Sequence, residues 1–479
     1  MQRPYRWIAG LVALLTLAAM LAACGGGAAQ PTAAPVEPTA APAATEAPAA
    51  TEAPAATPAP AAGGELEIIW FAWQPCQALT DLVKDYQDAS VSVRCVPIGQ
   101  WHDQIFADFA ARGGADLVIL DSQFIGEAVA GGHVMDLTEW MQAGNIEMDD
   151  YVPAALSAYG EYPAGSGKYY GVAFMADTQM LVYRKDLFEN QAIKDAFQAS
   201  AGRELAVPAK WTELLEIARF FKETPDDIDQ VPNGYTTFWC GTPACYDQIQ
   251  TAWNQMAWSF GGELWDPATY KVEGVLNSEQ NVRALEFAAE LFKTGPDGSG
   301  DFQFNETVDA ICSGSVAMTT IWFGFGPAFV DPAGCKNSAN LAYALVPGEE
   351  KHFISLGGMG MHVSSYSRNP EAALAFLKWV QSEEVQTKWV TIGGFSARKS
   401  VLASDAFKNA APYNPTFAEA YQLVKDFWNV PEYNRMLQIQ GEQLNLAVTG
   451  QTDPKSALDV IAAEQQAILD EAYPNGPPR

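Results

Sequence analysis

GVAFMADTQMLVYRKDLF, at residues 171–188, decides how the rest of the chain is read. The run Met180, Leu181, Val182, Tyr183 is rich in strand formers. The polar trio Asp177, Thr178, Gln179 leads into it, and Arg184, Lys185, Asp186 turn it toward a new amphipathic segment. The pattern predicts a buried strand with a polar head. An apparently complete α/β unit precedes it and a larger helical region follows, so a strand here is a natural crossing between two lobes.

Upstream, residues 65–71 read as a strand, and Leu79, Leu82, Val83 and Tyr86 fall at helical spacing. Residues 91–96 alternate like a strand, Trp101, Ile105 and Phe109 mark a second helix, and residues 117–120 are continuously apolar. Strands alternating with helices predict parallel pairing through right-handed crossovers, with ligands beyond the carboxyl ends of the strands. Those ends carry Trp70, Phe71, Trp73 and Gln74 in one place and Asp121, Ser122 and Gln123 in another. One group is aromatic and the other polar.

Downstream, residues 211–221 read as a helix with Thr212 as its cap. Trp253, Met256, Ala257 and Phe260 share helical spacing, which assigns them to packing. Trp239 and Tyr246 instead lie in a loop with Cys240, Gly241, Pro243 and Cys245, where a binding role gains ground. Residues 281–292 are helical. DGSGD at 297–301 has calcium-type ligands but no glutamate at the bidentate position, so it reads as a turn. A strand at 317–321 ends in Trp322 and Phe323 among glycines, a pattern suited to a stacking surface. Residues 341–346 and 352–363 read as further strands with a break at Gly357, Gly358, Met359 and Gly360. Gly358 and Met359 join the candidate site. A helix at 370–381, the segment GGFSARK containing Arg398, and closing helices to residue 472 complete the pattern.

With 479 residues the chain exceeds one ordinary core, and two packed units are expected. A formal charge of −29 argues against nucleic acid as a partner, because phosphates need lysine and arginine. Residues 1–23 have the makings of an export signal. Arg3 and Arg6 precede an apolar run too short to span comfortably, and Leu21, Ala22, Ala23, Cys24 resemble the bacterial lipobox, which would make Cys24 the lipidated first mature residue. Two or more acyl chains would tether the product to a membrane. Residues 24–64 are nearly all Ala, Pro, Thr and Glu, with TEAPAA repeated from Thr45, and predict a semi-rigid spacer reaching on the order of 100 Å when extended. Six further cysteines in an exported chain suit disulfides. Their pairing is open in sequence, but spacing favours neighbours: Cys76 with Cys95, Cys240 with Cys245, and Cys312 with Cys335. Metal binding is the alternative, disfavoured because there is no Cys-x-x-Cys and the four histidines are scattered.

Several ordered segments together resemble the family 1 bacterial extracellular solute-binding proteins, the maltose-binding-protein-like components of ABC importers. They are ADLV at 115–118, MADT at 175–178 with YRKDLF at 183–188, FGGELW at 260–265, CSGSVAM at 312–318, NPEAA at 369–373 and GGFSARKS at 393–400. In the family the last segment usually has proline where Ser396 stands. The resemblance implies a two-lobe, type II periplasmic-binding-protein-like α/β fold, with a ligand cleft between lobes joined by hinge crossings. Lobe 1 would be residues 65–176 plus 352–397, and lobe 2 residues 177–348 plus 398–472. It also implies an ABC permease as partner and no cofactor. Asp177 matches a position that accepts ligand hydroxyls in sugar-binding relatives, and Trp73, Asp121 and Trp322 match ligand-facing positions.

The expected ligand is a mono- or oligosaccharide. Pyranoses present apolar C–H faces and polar rims, so their sites combine flat aromatic platforms with a few carboxylates and amides. Trp73, Trp239 and Trp322 would stack, while Gln74, Asp121 and Asp177 would fix orientation. Arg398 would reach the cleft or form an ion pair between lobes. A polyol or other neutral solute is the alternative ligand, and a cell-surface glycoside hydrolase the alternative class. The chain is expected to be a monomer without chemistry of its own.

Overall fold

The computed structural model describes residues 64–224, 233–426 and 429–476. The signal segment, Cys24 and nearly all of the spacer lie outside the described residues. Nine strands make one sheet path: β1 (Glu65–Phe71), β2 (Ser90–Val96), β3 (Leu117–Leu120), β4 (Val172–Arg184), β5 (Asn233–Thr236), β6 (Val316–Trp322), β7 (Leu341–Leu345), β8 (Ile354–Val363) and β9 (Val424–Lys425). Their order is β2-β1-β3-β8-β4-β6-β5, with β7 on β4 and β9 on β8. β1 pairs in parallel with β2 and β3, as alternation with helices α1 (Gln74–Leu82) and α2 (Trp101–Ala110) predicts.

β4 is longer than its apolar run. Thirteen residues are extended, and Asp177, Thr178 and Gln179 sit in the middle of the strand rather than at its head. Residues Val172 to Thr178 pair with β8, whereas Gln179 to Tyr183 pair with β6, and β7 takes the opposite edge from Met180 to Arg184. The strand therefore changes partners at the polar trio. Burying these groups is tolerable because they are satisfied. Thr178 Oγ1 donates to the Ser355 carbonyl at 3.0 Å, and Gln179 donates to the Thr251 carbonyl at 3.3 Å while accepting from Gln255 at 2.8 Å. Leaving one such group unpaired would cost about 1–3 kcal/mol.

The glycine run at 357–360 does not break a strand. All four residues lie inside β8 and pair with β4, across a register shift between Ala173 and Met175, while β3 joins only from Gly360 onward. Thr212 is not a cap either. The helix Trp211–Glu223 starts with Glu213 accepting from the amides of Ala209 and Lys210, while Thr212 bonds Glu349. The helix Gln248–Ser259 is buried on every side, so its apolar stripe is only part of its contact surface. The three disulfides join Cys76 to Cys95, Cys240 to Cys245 and Cys312 to Cys335. The first ties α1 to β2. Among the described residues no helix is long and apolar enough to cross a membrane, and no metal-binding cluster forms.

Candidate functional site

A cleft with about 460 Å³ of atom-free space, part of it open to solvent, lies where β4 changes partners. Trp73 and Asp121 enter from the carboxyl ends of β1 and β3, Asp177 from the middle of β4, Trp322 from the end of β6, and Gly358 and Met359 from β8. Tyr246 closes one side, from the loop that the Cys240–Cys245 disulfide pins. Its φ of +57° is a backbone conformation that non-glycine residues rarely hold.

The walls are aromatic. Phe71 and Trp73 stack at 4.6 Å, Trp101 packs on Phe71 at 4.8 Å and on Tyr246 at 6.0 Å, and Trp73 meets Phe325 at 6.0 Å. Trp322 is 8% exposed and crosses the backbone of β8 at Gly357, where a Cβ would come within 2.3 Å of the indole. Trp73 and Trp101 both line the cleft, and their indole nitrogens are buried without a protein acceptor.

Three carboxylates line the same space: Asp121, Asp177 and Asp247, all buried. Asp121 holds the N-cap position of the helix α3 (Ser122–Ala130), and Asp247 that of the helix Gln248–Ser259. Asp247 turns away from its own helix and accepts from Gln123 at 2.7 Å. Asp177 accepts from the amides of Thr178 and Gly324. Burial pushes all three above the ordinary carboxylate range, and Asp121 raises Asp247 further by like-charge repulsion. The arrangement can accept hydrogen bonds from a ligand's rim and stack against its faces.

Of the residues singled out in the sequence, Trp73, Asp121, Asp177, Tyr246, Trp322, Gly358 and Met359 come together here. Five do not line the cleft. Trp239 is fully buried in the core, with Tyr235 and Phe292 edge-on to it and its carbonyl bonded by Asn445. Phe323 packs against Phe395 and Phe417. Gln74 is exposed and bonds the Ile392 carbonyl, and Ser122 supports the site from behind by donating to Asp121 and Asp426. Arg398 lies away from the cleft and pairs with Asp150 at 2.7 Å and with Glu147, its guanidinium also donating to the Gln381 carbonyl. The sequence reading missed Trp101 and Asp247. Trp101 was indistinguishable from core on the apolar face of α2. Asp247 had a usable signal, a carboxylate between a loop tyrosine and a helix.

The profile of the bacterial extracellular solute-binding protein family matches residues 73–387. A probable amino-acid ABC transporter periplasmic-binding protein of Sinorhizobium fredii is 23% identical over 68% of this chain and 70% of its own length. The galactooligosaccharide-binding protein of Bacillus subtilis is 22% identical over 84% of this chain and 88% of its own. Among solved structures, a solute-binding protein of Agrobacterium radiobacter K84 in complex with ribitol superposes with a TM-score of 0.72 at 26% identity, covering 86% of this chain and 100% of that one. The fold is that of the type II periplasmic solute-binding proteins. The family is extracellular or periplasmic and implies a small-molecule ligand and an ABC permease partner. By the span of the profile match and the strand crossing that frames its cleft, this chain belongs to the bacterial extracellular solute-binding protein family.

Proposed function

We propose that the chain captures a sugar or polyol in the cleft between two lobes and delivers it to an ABC permease without altering it. Buried carboxylates interleaved with indole rings carry this reading. Asp121 and Asp177 accept ligand hydroxyls, Trp73 and Trp322 cover its C–H faces, and the Trp101 indole N–H donates to it. Relatives support the ligand class: one is named for galactooligosaccharide and another for mannitol, and solved neighbours hold ribitol or maltose.

Lobe 1 comprises residues 65–176 plus 352–397, and lobe 2 residues 177–348 plus 398–472. The partner change of β4 at Thr178 and Gln179 supports that division. The lobes close on the ligand by bending at the strand crossings. Cys24 anchors a monomer to the outer face of the cell membrane through its lipid, and the Ala/Pro/Thr spacer sets its reach.

Titration of the purified protein from residue 64 onward with a sugar and polyol panel tests the reading. The expected result is saturable micromolar or tighter binding with a change in tryptophan fluorescence. Release of reducing ends would instead indicate a hydrolase.

A further inference from the structure

Charge does not balance in the cleft. Asp121, Asp177 and Asp247 line it, and no Lys, Arg or His stands among its described lining residues. Among the described residues, burial, hydrogen bonds and the mutual repulsion of Asp121 and Asp247 set the ionisation of the three, and no Lys, Arg or His is among those causes. The titratable groups that feel them electrostatically include, among the described residues, Asp426 and the tyrosines 159, 246, 413, 421 and 433, all neutral or acidic. Lys425, the neighbouring cation, pairs with Glu263 and lies over Trp258 and Phe353. The amino ends of α3 and of the helix Gln248–Ser259 supply partial positive charge, worth roughly half a charge each. That falls short of three carboxylates. A buried carboxylate without a counter-charge is costly in low dielectric, which favours its protonated form until a positive guest supplies the missing charge.

The walls point the same way. Indole and phenyl faces attract cations by their ring quadrupoles, most strongly where water is excluded, and Phe71, Trp73, Trp101, Tyr246 and Trp322 surround the carboxylates. A neutral sugar uses such rings only through its C–H faces. An ammonium group uses both the rings and the carboxylates.

We propose that the ligand is a cationic polyhydroxylated molecule, an amino sugar or amino polyol, with its ammonium between Asp121 and Asp247 and its hydroxyls on Asp177 and the Trp101 indole. This rests on the sugar or polyol reading of the same cleft and narrows it to one charge class.

Isothermal titration at pH 7 with matched pairs tests it: N-methylglucamine against sorbitol and glucosamine against glucose, with choline as a cation poor in hydroxyls. The amine of at least one pair is expected to bind about tenfold or more tightly than its neutral counterpart. Binding should release protons, read from buffers of different ionisation enthalpy, and affinity should rise from pH 5.5 to 7. Asp247→Asn, checked for folding by circular dichroism, should bring the amine and neutral members to within about threefold. Neutral members binding as tightly as the amines, or proton uptake, would overturn the charge assignment and leave the sugar or polyol reading intact. Choline matching the amino polyols would overturn the hydroxyl requirement. No binding by any member would count against both.

Discussion

Gly324 makes room for Trp73: a Cβ at Gly324 would lie 2.5 Å from the indole Cζ3 and 2.7 Å from Oδ2 of Asp177. The same glycine donates its amide to Asp177. Gly324→Ala therefore pushes apart one aromatic wall and one carboxylate in a single step. Ligand affinity should fall at least tenfold by fluorescence titration. Overpacking should lower stability in urea by about 1–3 kcal/mol.

The acid groups of the cleft set a pH dependence. Asp247 has a higher pKa folded than unfolded because burial and Asp121 oppose its ionisation. The folded protein therefore holds a proton that the unfolded chain has released. The associated stability is present at low pH and is lost as pH rises through the raised folded pKa. Asp247→Asn cannot titrate. Going from pH 5 to pH 8.5, the melting temperature of the ligand-free wild type should drop relative to that of the variant. A parallel course for the two proteins in differential scanning fluorimetry would contradict the assignment.

Arg398 offers the opposite case, stability without binding. Its side chain is 5% exposed and holds Asp150, Glu147 and the Gln381 carbonyl. Removing it in Arg398→Ala takes the donor from the Gln381 carbonyl and leaves Asp150 to Ser400 alone. The cost should be about 2–3 kcal/mol, below that of a fully buried pair because Glu147 reaches solvent. Ligand affinity should stay within about twofold, since none of these residues lines the cleft.

The Cys76–Cys95 bridge spans a sequence separation of 19 residues and secures α1 beside β2, next to Trp73. Replacing both cysteines by alanine should destabilise the protein by about 3 kcal/mol, measured by denaturant unfolding. A reducing agent should shift wild type in the same direction.

Much of this was legible in the chain because local pattern and tertiary role agree. The residues at the ends of β1, β3 and β6 that point into the cleft are those whose strands could be located from apolar runs. Where they disagree, reading failed for physical reasons. Trp239 looked like a site residue because its loop is marked by glycine, proline and cysteine, yet the loop is pressed against the helix Tyr433–Val448, whose Asn445 lies 206 residues later. Trp101 looked like core because a helix start aimed at a cleft has the same spacing as one aimed at a sheet. The glycines at 357–360 looked like a break, although Gly357 keeps the strand and gives up only its side-chain volume to Trp322.

Since Asp177 sits on the one strand that belongs to both sets of pairings, any guest it holds also loads the backbone that both sets share. In the proposed two-lobe reading, grip and posture share one stretch, Asp177, Thr178 and Gln179. A mutation here that changes the guest then also changes how readily the lobes part, so selectivity and release are expected to shift together.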